Sequence, residues 1–309
     1  MTSVFIDGKS GTTGLRLAER LRDRKDIRLL TLPDEKRRDP AARAEMLNSA
    51  DVAFLCLPDD AAAEAVSMIR NDRTVVIDTS TAHRTDPAWC YGMPELPGQR
   101  EKIRNARRIA NPGCHASGVI ALLYPLLHSG LLRPDAELTC TSLTGYSGGG
   151  KKMIADYEGE EASPLLAGGR LYGLGQKHKH LPEITAVCAG LEKTPVFNPI
   201  VVPCYAGMEV IVGLHASQIS GTPGDVRRAY EEFYGDGPLI RFVQDAGEGG
   251  FLSSAAFAGR DCMEITAEGN DERMNVIARF DNLGKGASGA AIQNMNIALG
   301  ADETEGLVK

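Results

Sequence analysis

A short apolar run, Val4 to Ile6, ends in Asp7-Gly8-Lys9-Ser10-Gly11-Thr12-Thr13-Gly14, and beyond it Leu15, Leu17, Ala18 and Leu21 recur on one side of a helix. The rhythm continues with Ile27 to Leu32 (strand), Ala41 to Leu47 (helix), Val52 to Leu57 (strand), Ala61 to Ile69 (helix) and Thr74 to Ile77 (strand). Strands alternating with helices at this spacing predict a parallel sheet with crossover helices. Ala53 to Leu57 and Val75 to Ile77 are apolar without alternation, which predicts strands buried on both faces, as in a doubly wound sheet. After about Asp78 the pattern changes, and Gly, Pro and polar clusters separate longer elements. Helices are predicted over Ala116 to Leu127 and Pro223 to Tyr234, strands over Leu138 to Leu143 and Glu209 to His215, and a small-residue-rich segment that becomes helical over Gly286 to Leu299. This later region reads as α+β.

At 309 residues the chain has room for two domains, and 43% hydrophobic with 24% charged residues is ordinary for a globular enzyme. The net charge of -7 gives no global attraction to nucleic acid or anionic membrane, so a phosphate-bearing ligand must be captured locally. The apolar run Val119 to Leu123 is broken soon after by Pro125, far short of the ~18 residues of a membrane span, and no export signal precedes Val4, so a cytoplasmic protein is expected. Seven cysteines, an odd number without a C-x-x-C pair, argue against a disulfide framework or a zinc ribbon and leave room for a reactive thiol.

Gly8, Gly11 and Gly14 are spaced G-x-x-G-x-x-G between a strand and a helix, where glycines let the backbone approach a pyrophosphate and the helix N-terminus meets its charge. The spacing departs from the commoner G-x-G-x-x-G. About twenty residues on, Asp34-Glu35-Lys36-Arg37-Arg38 occupies the stretch that chooses between the two nicotinamide dinucleotides. An arginine there accommodates a 2′-phosphate, which favours NADP with Arg37 or Arg38 as its contact.

Asn111-Pro112-Gly113-Cys114 precedes the apolar helix and sets Cys114 at a helix N-terminus, a position that favours the thiolate. The other six cysteines lack this setting; Cys56, Cys140, Cys188 and Cys204 read as small buried hydrophobes. Gln176-Lys177-His178-Lys179-His180-Leu181-Pro182-Glu183 supplies two imidazoles and a carboxylate, and a cysteine nucleophile needs a group to take and return its proton. His180 is the preferred base, with His115, beside the cysteine, as the alternative. His178 and His180 would share one side of a strand, but no third ligand follows at metal spacing, so no metal site is expected. Thr144 to Lys152 is a second glycine-rich segment in which free amides around Ser147 and Gly148 are expected to form an anion nest. Arg84, closing Asp78 to Arg84 after the fourth strand, is expected to clamp a phosphate.

In this order, GKSGTTG, STAHR, YGMPEL, NPGC, GYSGGGK, HKHLPEI and NLGKGASGAAIQNMN resemble the N-acetyl-gamma-glutamyl-phosphate reductases, in their short form, over about residues 4 to 299. The related aspartate-semialdehyde dehydrogenases share the plan, but their cysteine typically follows Pro-Asn where Cys114 follows Pro112-Gly113, and they lack a clear counterpart of Tyr91 to Leu96. One departure is His115, where many members have Tyr. The resemblance implies a Rossmann-type doubly wound parallel sheet domain over 1–112 and 284–309 that binds NADP(H), plus an α+β catalytic and oligomerisation domain of the semialdehyde-dehydrogenase type over 113–283. It further implies a homotetramer without nucleic-acid or membrane partners, acting in arginine biosynthesis by NADPH-dependent reduction of an acyl phosphate through a cysteine thioester. Cys114 and His180 would be catalytic, and Arg84, Ser147, Gly148, His178 and Glu183 would serve the substrate. The cofactor would lie on Gly8, Ser10, Gly11, Thr12, Thr13, Gly14, Arg37, Arg38, Lys285, Gly286 and Gln293. The alternatives are a reductase of a related acyl phosphate such as aspartyl phosphate and, from another class, an NADP-binding sensor with Cys114 as a redox switch.

Overall fold

In the computed structural model, which describes residues 1–309, the chain opens with β1 (Thr2–Asp7), α1 (Thr12–Arg22), β2 (Ile27–Leu30), α2 (Pro40–Ser49), β3 (Val52–Leu55), α3 (Asp59–Ser67), β4 (Val75–Asp78), β5 (Cys90–Tyr91), α4 (Gln99–Asn105) and β6 (Arg108–Ala110). It continues through α5 (Cys114–His128), β7 (Thr139–Gly145), α6 (Gly150–Glu158), β8 (Arg170–Leu171), α7 (Leu181–Val187), β9 (Val196–Val202), β10 (Met208–His215) and α8 (Pro223–Tyr234). Last come β11 (Ile240–Phe242), β12 (Met263–Gly269), β13 (Arg273–Phe280) and α9 (Gly289–Ala298). Two compact units result, Met1–Gly113 with Ala287–Leu307, and Cys114–Gly286 with Val308–Lys309. The change of unit falls after Gly286, three residues past the expected end of the second domain at 283, because Asp281 holds the following turn to the end of β13. Its carboxylate accepts from the amides of Leu283 (2.6 Å) and Gly284 (3.0 Å), and its carbonyl accepts from Gly286 (2.9 Å).

The first unit is a six-stranded parallel sheet in the order β2-β1-β3-β4-β6-β5. The central stretches of its strands, Val4 to Ile6, Val52 to Leu55 and Val75 to Ile77, are apolar without alternation because both faces are covered. Val4, Ile6, Val52 and Phe54 join Leu17 and Leu21 of α1 and Ile292 and Met295 of α9 in one core. Phe5, Ala53, Leu55 and Val76 join Leu47 of α2 and Ala62 and Ala65 of α3 in the other. Strand β3 stops at Leu55, short of the predicted Leu57, because Pro58 opens a helix there; Asp59 and Asp60 then complement the helix dipole in its first turn. The strand order reverses between β1, which pairs β2, and β3 on its other side, so the loop after β1 lies at a topological switch point.

The second unit is a mixed seven-stranded sheet in the order β11-β12-β13-β10-β7-β9-β8, with α5 packed on β10 and β13 and flanked by α7 and α8. Val210, Val212 and Leu214 on β10 and Val276, Ala278 and Phe280 on β13 alternate inward against it. Helix α5 approaches the sheet closely at Gly118, where a methyl would lie 2.5 Å from a Val210 methyl and 2.9 Å from the Phe280 ring. Pro125 sits inside this helix and denies Ala121 O its usual donor. The Tyr234 hydroxyl donates to that carbonyl at 2.6 Å, so α8 mends the break that the proline makes. No helix is long and apolar enough to cross a membrane.

Candidate active site

Gly8 ends β1 with φ +83, where a Cβ would meet Cys56 O at 2.2 Å, and a Cβ on Gly14 would lie 2.6 Å from Gly8 O. These two glycines are required by the fold of the loop itself. Gly11 is different: its nearest neighbour for a Cβ is Gly8 O at 3.5 Å, an ordinary contact, so the space beside it is open. Gly11 is the N-cap of α1 and offers no side-chain cap, and the first amide to donate into the helix is that of Leu15, to Gly11 O. The amides of Thr12, Thr13 and Gly14 therefore point out of the helix end, the arrangement that receives an anion. The loop opens on a cavity of about 750 Å³ lined by Ser10, Gly11, Leu30, Thr31, Arg37 and Arg38. Both arginines are exposed at its edge, following a turn at Asp34–Lys36. A buried pair that sequence reasoning missed forms its floor, where the Arg43 guanidinium meets the Asp7 carboxylate at 3.0 Å. The glycine cradle, the outward amides and the arginines fit a phosphorylated dinucleotide.

Two expected ligand residues of this unit are occupied structurally. Arg84 donates from Nε to Asn111 O (3.0 Å) and from Nη2 to Thr79 O (2.9 Å), which braces the ends of β4 and β6 and corrects the picture of an open clamp. Gln293 is fully buried in α9 and donates to Glu95 Oε1 at 3.0 Å, so it stabilises the helix and does not line an open groove.

In the second unit Cys114 is the first residue of the 15-residue α5 and is half-buried. Burial pushes the thiols of Cys56, Cys140 and Cys188 up to about 12, and raises those of Cys90, Cys204 and Cys262. The remaining six are thereby held as unreactive thiols.

Beside Cys114 in the chain, His115 joins a cluster of rings. The His115 centroid is 5.5 Å from that of His178 and 5.5 Å from that of His180, and the last two are 4.9 Å apart. They are not on a strand, as the alternation had suggested. His178 lies in the loop and His180 is the N-cap of α7, because Pro182 and Glu183 start a helix there. The His180 amide donates to His178 Nδ1 at 3.2 Å, which fixes the His178 proton on Nε2. Burial, with Lys179 adding to it, holds His178 down at about 4, so this imidazole is neutral near pH 7. His180 is 4% exposed and Glu183, in the first turn of α7, is 1% exposed.

His115, the alternative base, is buried too. Its Nδ1 lies 2.7 Å from Ser142 Oγ and its Nε2 2.7 Å from Tyr172 Oη. Burial drives it down to about 3. Ser142 and Tyr172 were not foreseen. The one available signal was a hydroxyl at the inward position of β7 between Cys140 and Thr144, where a polar side chain needs a partner.

The Ser147 segment is not a nest of free amides. The amides of Gly145, Tyr146 and Ser147 donate to Gly207, Cys204 and Tyr205 carbonyls at 2.9, 2.9 and 3.0 Å, prolonging the sheet, and Ser147 Oγ accepts from Asn282 Nδ2 at 3.0 Å. Gly148 is exposed beside it. Lys285 is 4% exposed in the π-turn Gly284–Ser288, and a Cβ on Gly286 would stand 3.0 Å from that of Cys114. Gly286 thus leaves room beside Cys114.

Comparison with known proteins matches residues 3–106 to the family model "Semialdehyde dehydrogenase, NAD binding domain" and residues 114–282 to "Semialdehyde dehydrogenase, dimerisation domain". The chain is 43% identical over 306 residues to an N-acetyl-gamma-glutamyl-phosphate reductase of Brucella ovis, covering 96% of this chain and 98% of that protein. It is 44% identical over 308 residues to the one of Sinorhizobium medicae, covering 96% and 99%. Among solved structures it superposes on aspartate semialdehyde dehydrogenase II of Vibrio cholerae complexed with ASA, with a TM-score of 0.72 at 17% identity over 97% of this chain and 98% of the other. Aspartate semialdehyde dehydrogenase with NADP from Candida albicans gives 0.69 at 16% identity over 96% and 98%.

Proposed function

Because the chain belongs to the N-acetyl-gamma-glutamyl-phosphate reductases, we propose that it reduces N-acetyl-gamma-glutamyl phosphate to N-acetylglutamate 5-semialdehyde and phosphate, with NADPH, in arginine biosynthesis. The observation that carries the chemistry is Cys114 at the first turn of α5, beside His115 and a cluster of imidazoles in the same unit.

The thiolate of Cys114 attacks the γ-carbonyl, a C–S bond forms, the C–O bond to phosphorus breaks and phosphate leaves with its electron pair. The resulting thioester keeps an electrophilic carbonyl because sulfur donates resonance poorly. When bound, the nicotinamide would supply the hydride, the two-electron reductant that this carbonyl needs. His180 takes the thiol proton and returns it to the oxygen or sulfur as the thiohemiacetal collapses to aldehyde. Neutral His178, with its proton on Nε2, presents a donor to the substrate. Glu183 at the head of α7 steadies the histidine loop, and Gly148 with the hydroxyl of Ser147 contributes to the anionic end of the substrate. Gly8 to Gly14 and the α1 amides would hold the cofactor, with Arg37 or Arg38 on its 2′-phosphate. We assign the first unit, Met1–Gly113 with Ala287–Leu307, to cofactor binding and the second, Cys114–Gly286 with Val308–Lys309, to catalysis and assembly, in a cytoplasmic homotetramer. The description of the second family model as a dimerisation domain supports self-association.

The test is NADPH formation in reverse, from N-acetylglutamate semialdehyde, NADP and phosphate, beside aspartate semialdehyde. Phosphate-dependent turnover with the acetylated aldehyde alone is expected. Turnover with aspartate semialdehyde instead would transfer the mechanism to aspartyl phosphate. Cys114→Ala should abolish turnover and leave NADPH affinity nearly unchanged, and substantial residual turnover would sink the covalent scheme.

A further inference from the structure

The three side chains Ser142, His115 and Tyr172 form one hydrogen-bonded line. Ser142 is fully buried on β7, and His115 Nδ1 is the one partner of its hydroxyl. A buried hydroxyl whose proton finds no acceptor is strongly disfavoured, so the Ser142 proton is donated to Nδ1. Neutral imidazole carries one proton, and with Nδ1 accepting, that proton sits on Nε2. Nε2–H therefore donates to Tyr172 Oη at 2.7 Å. The consequence falls on the phenol. Its oxygen is already receiving a hydrogen bond, and its own O–H is committed to no acceptor in the protein. Resting on the assignment of Cys114 as nucleophile, we infer that Tyr172 O–H is a preset hydrogen-bond donor to the anion at the reaction centre. That anion is first the Cys114 thiolate and then the oxygen of the thiohemiacetal, and His115 and Ser142 are the positioning residues that aim the donor.

Three further observations agree with this assignment. Tyr172 is hydrogen-bonded to His115, the residue that follows Cys114 at the start of α5, and ionisation of its phenol is opposed by burial and next by negative charge on Cys114, which keeps it a donor. The His115 ring is wedged against Phe197 (5.4 Å) and His178 (5.5 Å), which prevents it from turning over. Tyr172 itself is tied to the sheet by its amide, which donates to Pro199 O at 3.0 Å. No proton leaves the phenol in any step; the O–H donates to each anion in turn, and acid–base duty stays with His180. A donor already oriented by the protein needs no reorganisation as charge builds on the oxygen, which is the condition under which such groups accelerate acyl transfer.

The experiment uses the full-length enzyme and the variants Tyr172→Phe and Ser142→Ala. Ser142→Ala leaves both rings in place but removes the lock on the tautomer, so that His115 can accept the phenol proton. Three readouts are taken: kcat and KM, the pH midpoint of iodoacetamide alkylation of Cys114 followed by mass spectrometry, and the tautomer of His115 by ¹⁵N-histidine NMR. The groups that face this line, His178, His180 and Lys179, are present in all three proteins, so differences between profiles isolate the phenol. For Tyr172→Phe kcat should fall about 10²-fold with KM little changed, and the alkylation midpoint should rise by about one pH unit. Ser142→Ala should move both in the same direction by less. The NMR spectrum of the unmodified enzyme should show His115 unprotonated at Nδ1. A protonated Nδ1, or an unmoved midpoint and kcat in Tyr172→Phe, overturns the inference. If Cys114 of the unmodified enzyme is alkylated no faster than the other six cysteines, it is the assignment of the nucleophile that fails.

Discussion

Gly8 and Gly11 belong to one loop, yet adding a methyl group to each should produce opposite phenotypes. At Gly8 a Cβ would stand 2.2 Å from Cys56 O and 2.8 Å from its carbonyl carbon, both backbone atoms, in a conformation with φ +83. The left-handed conformation costs alanine about 1–2 kcal/mol and the overlap about 1–3 kcal/mol more, partly relieved by movement of the loop. Gly8→Ala should therefore lose roughly 2–4 kcal/mol, which for a unit of this size lowers Tm by about 6–15 °C. At Gly11 the nearest atom is Gly8 O at 3.5 Å and φ is -76, so the folded chain accepts the methyl at a cost below about 1 kcal/mol, the difference between glycine and alanine as an N-cap. The new methyl fills the open side beside the α1 amides, where a pyrophosphate must approach the backbone. Gly11→Ala should keep its Tm and lose about tenfold or more in NADPH affinity, some 1.4 kcal/mol. Thermal unfolding without ligand and NADPH fluorescence titration separate the two. Native NADPH affinity in Gly11→Ala would refute the placement of the pyrophosphate on this loop, and native stability in Gly8→Ala would refute the steric argument.

Three other outcomes follow from the same geometry. Replacing Arg37 and Arg38 together by alanine should raise KM for NADPH about 10–100-fold while leaving KM for NADH unchanged, since charged hydrogen bonds to one phosphate are lost; a parallel rise for both dinucleotides would remove the arginines from the 2′-phosphate. His180→Asn should lower kcat about 10²–10⁴-fold, the usual worth of a general acid–base group, and a full rate would pass that role to another imidazole. The third concerns acid. His115 and His178 are held at about 3 and about 4, below the 6.5 of the unfolded chain, so between those values the unfolded state binds more protons. Stability should thus be level above pH 6.5 and fall as pH drops toward 4, and His178→Asn should flatten that fall in Tm against pH; an unchanged slope would show that His178 is protonated in the folded enzyme.

The first unit was legible because its signals are local. Apolar strands covered on both faces, helices with one apolar side and glycines at a strand end each declare themselves within a dozen residues, and the observed β1 to β4 follow the predicted order. Shifts at the element ends come from caps that outrank hydrophobic pattern, as when Pro58 ends β3 early and Asp39 accepts from the Ala42 amide to start α2. Arg84 and Gln293 show the limit on that side. Whether a polar side chain faces a ligand or braces a carbonyl depends on residues distant in sequence, here Asn111 for one and Glu95 for the other.

The same limit governs the reaction centre. Cys114 was legible because proline, glycine and an apolar run announce a helix start, whereas the chemistry around it is assembled from α5, β7 and the loop after β8, at separations of 27 and 57 residues from His115. The HKH pattern offered alternation, the signature of a strand, and Pro182 overruled it by starting a helix. Sequence could therefore name the imidazoles but not their states. Those states follow from burial and from hydrogen-bond accounting: His178 accepts at Nδ1 from a backbone amide, and His115 accepts at Nδ1 from Ser142. Both are thereby neutral donors at Nε2, and it is on this accounting that proton transfer is proposed for His180 and hydrogen-bond donation for the other two. Three histidines in one cluster can be given different roles because each has a different neighbour on its second nitrogen.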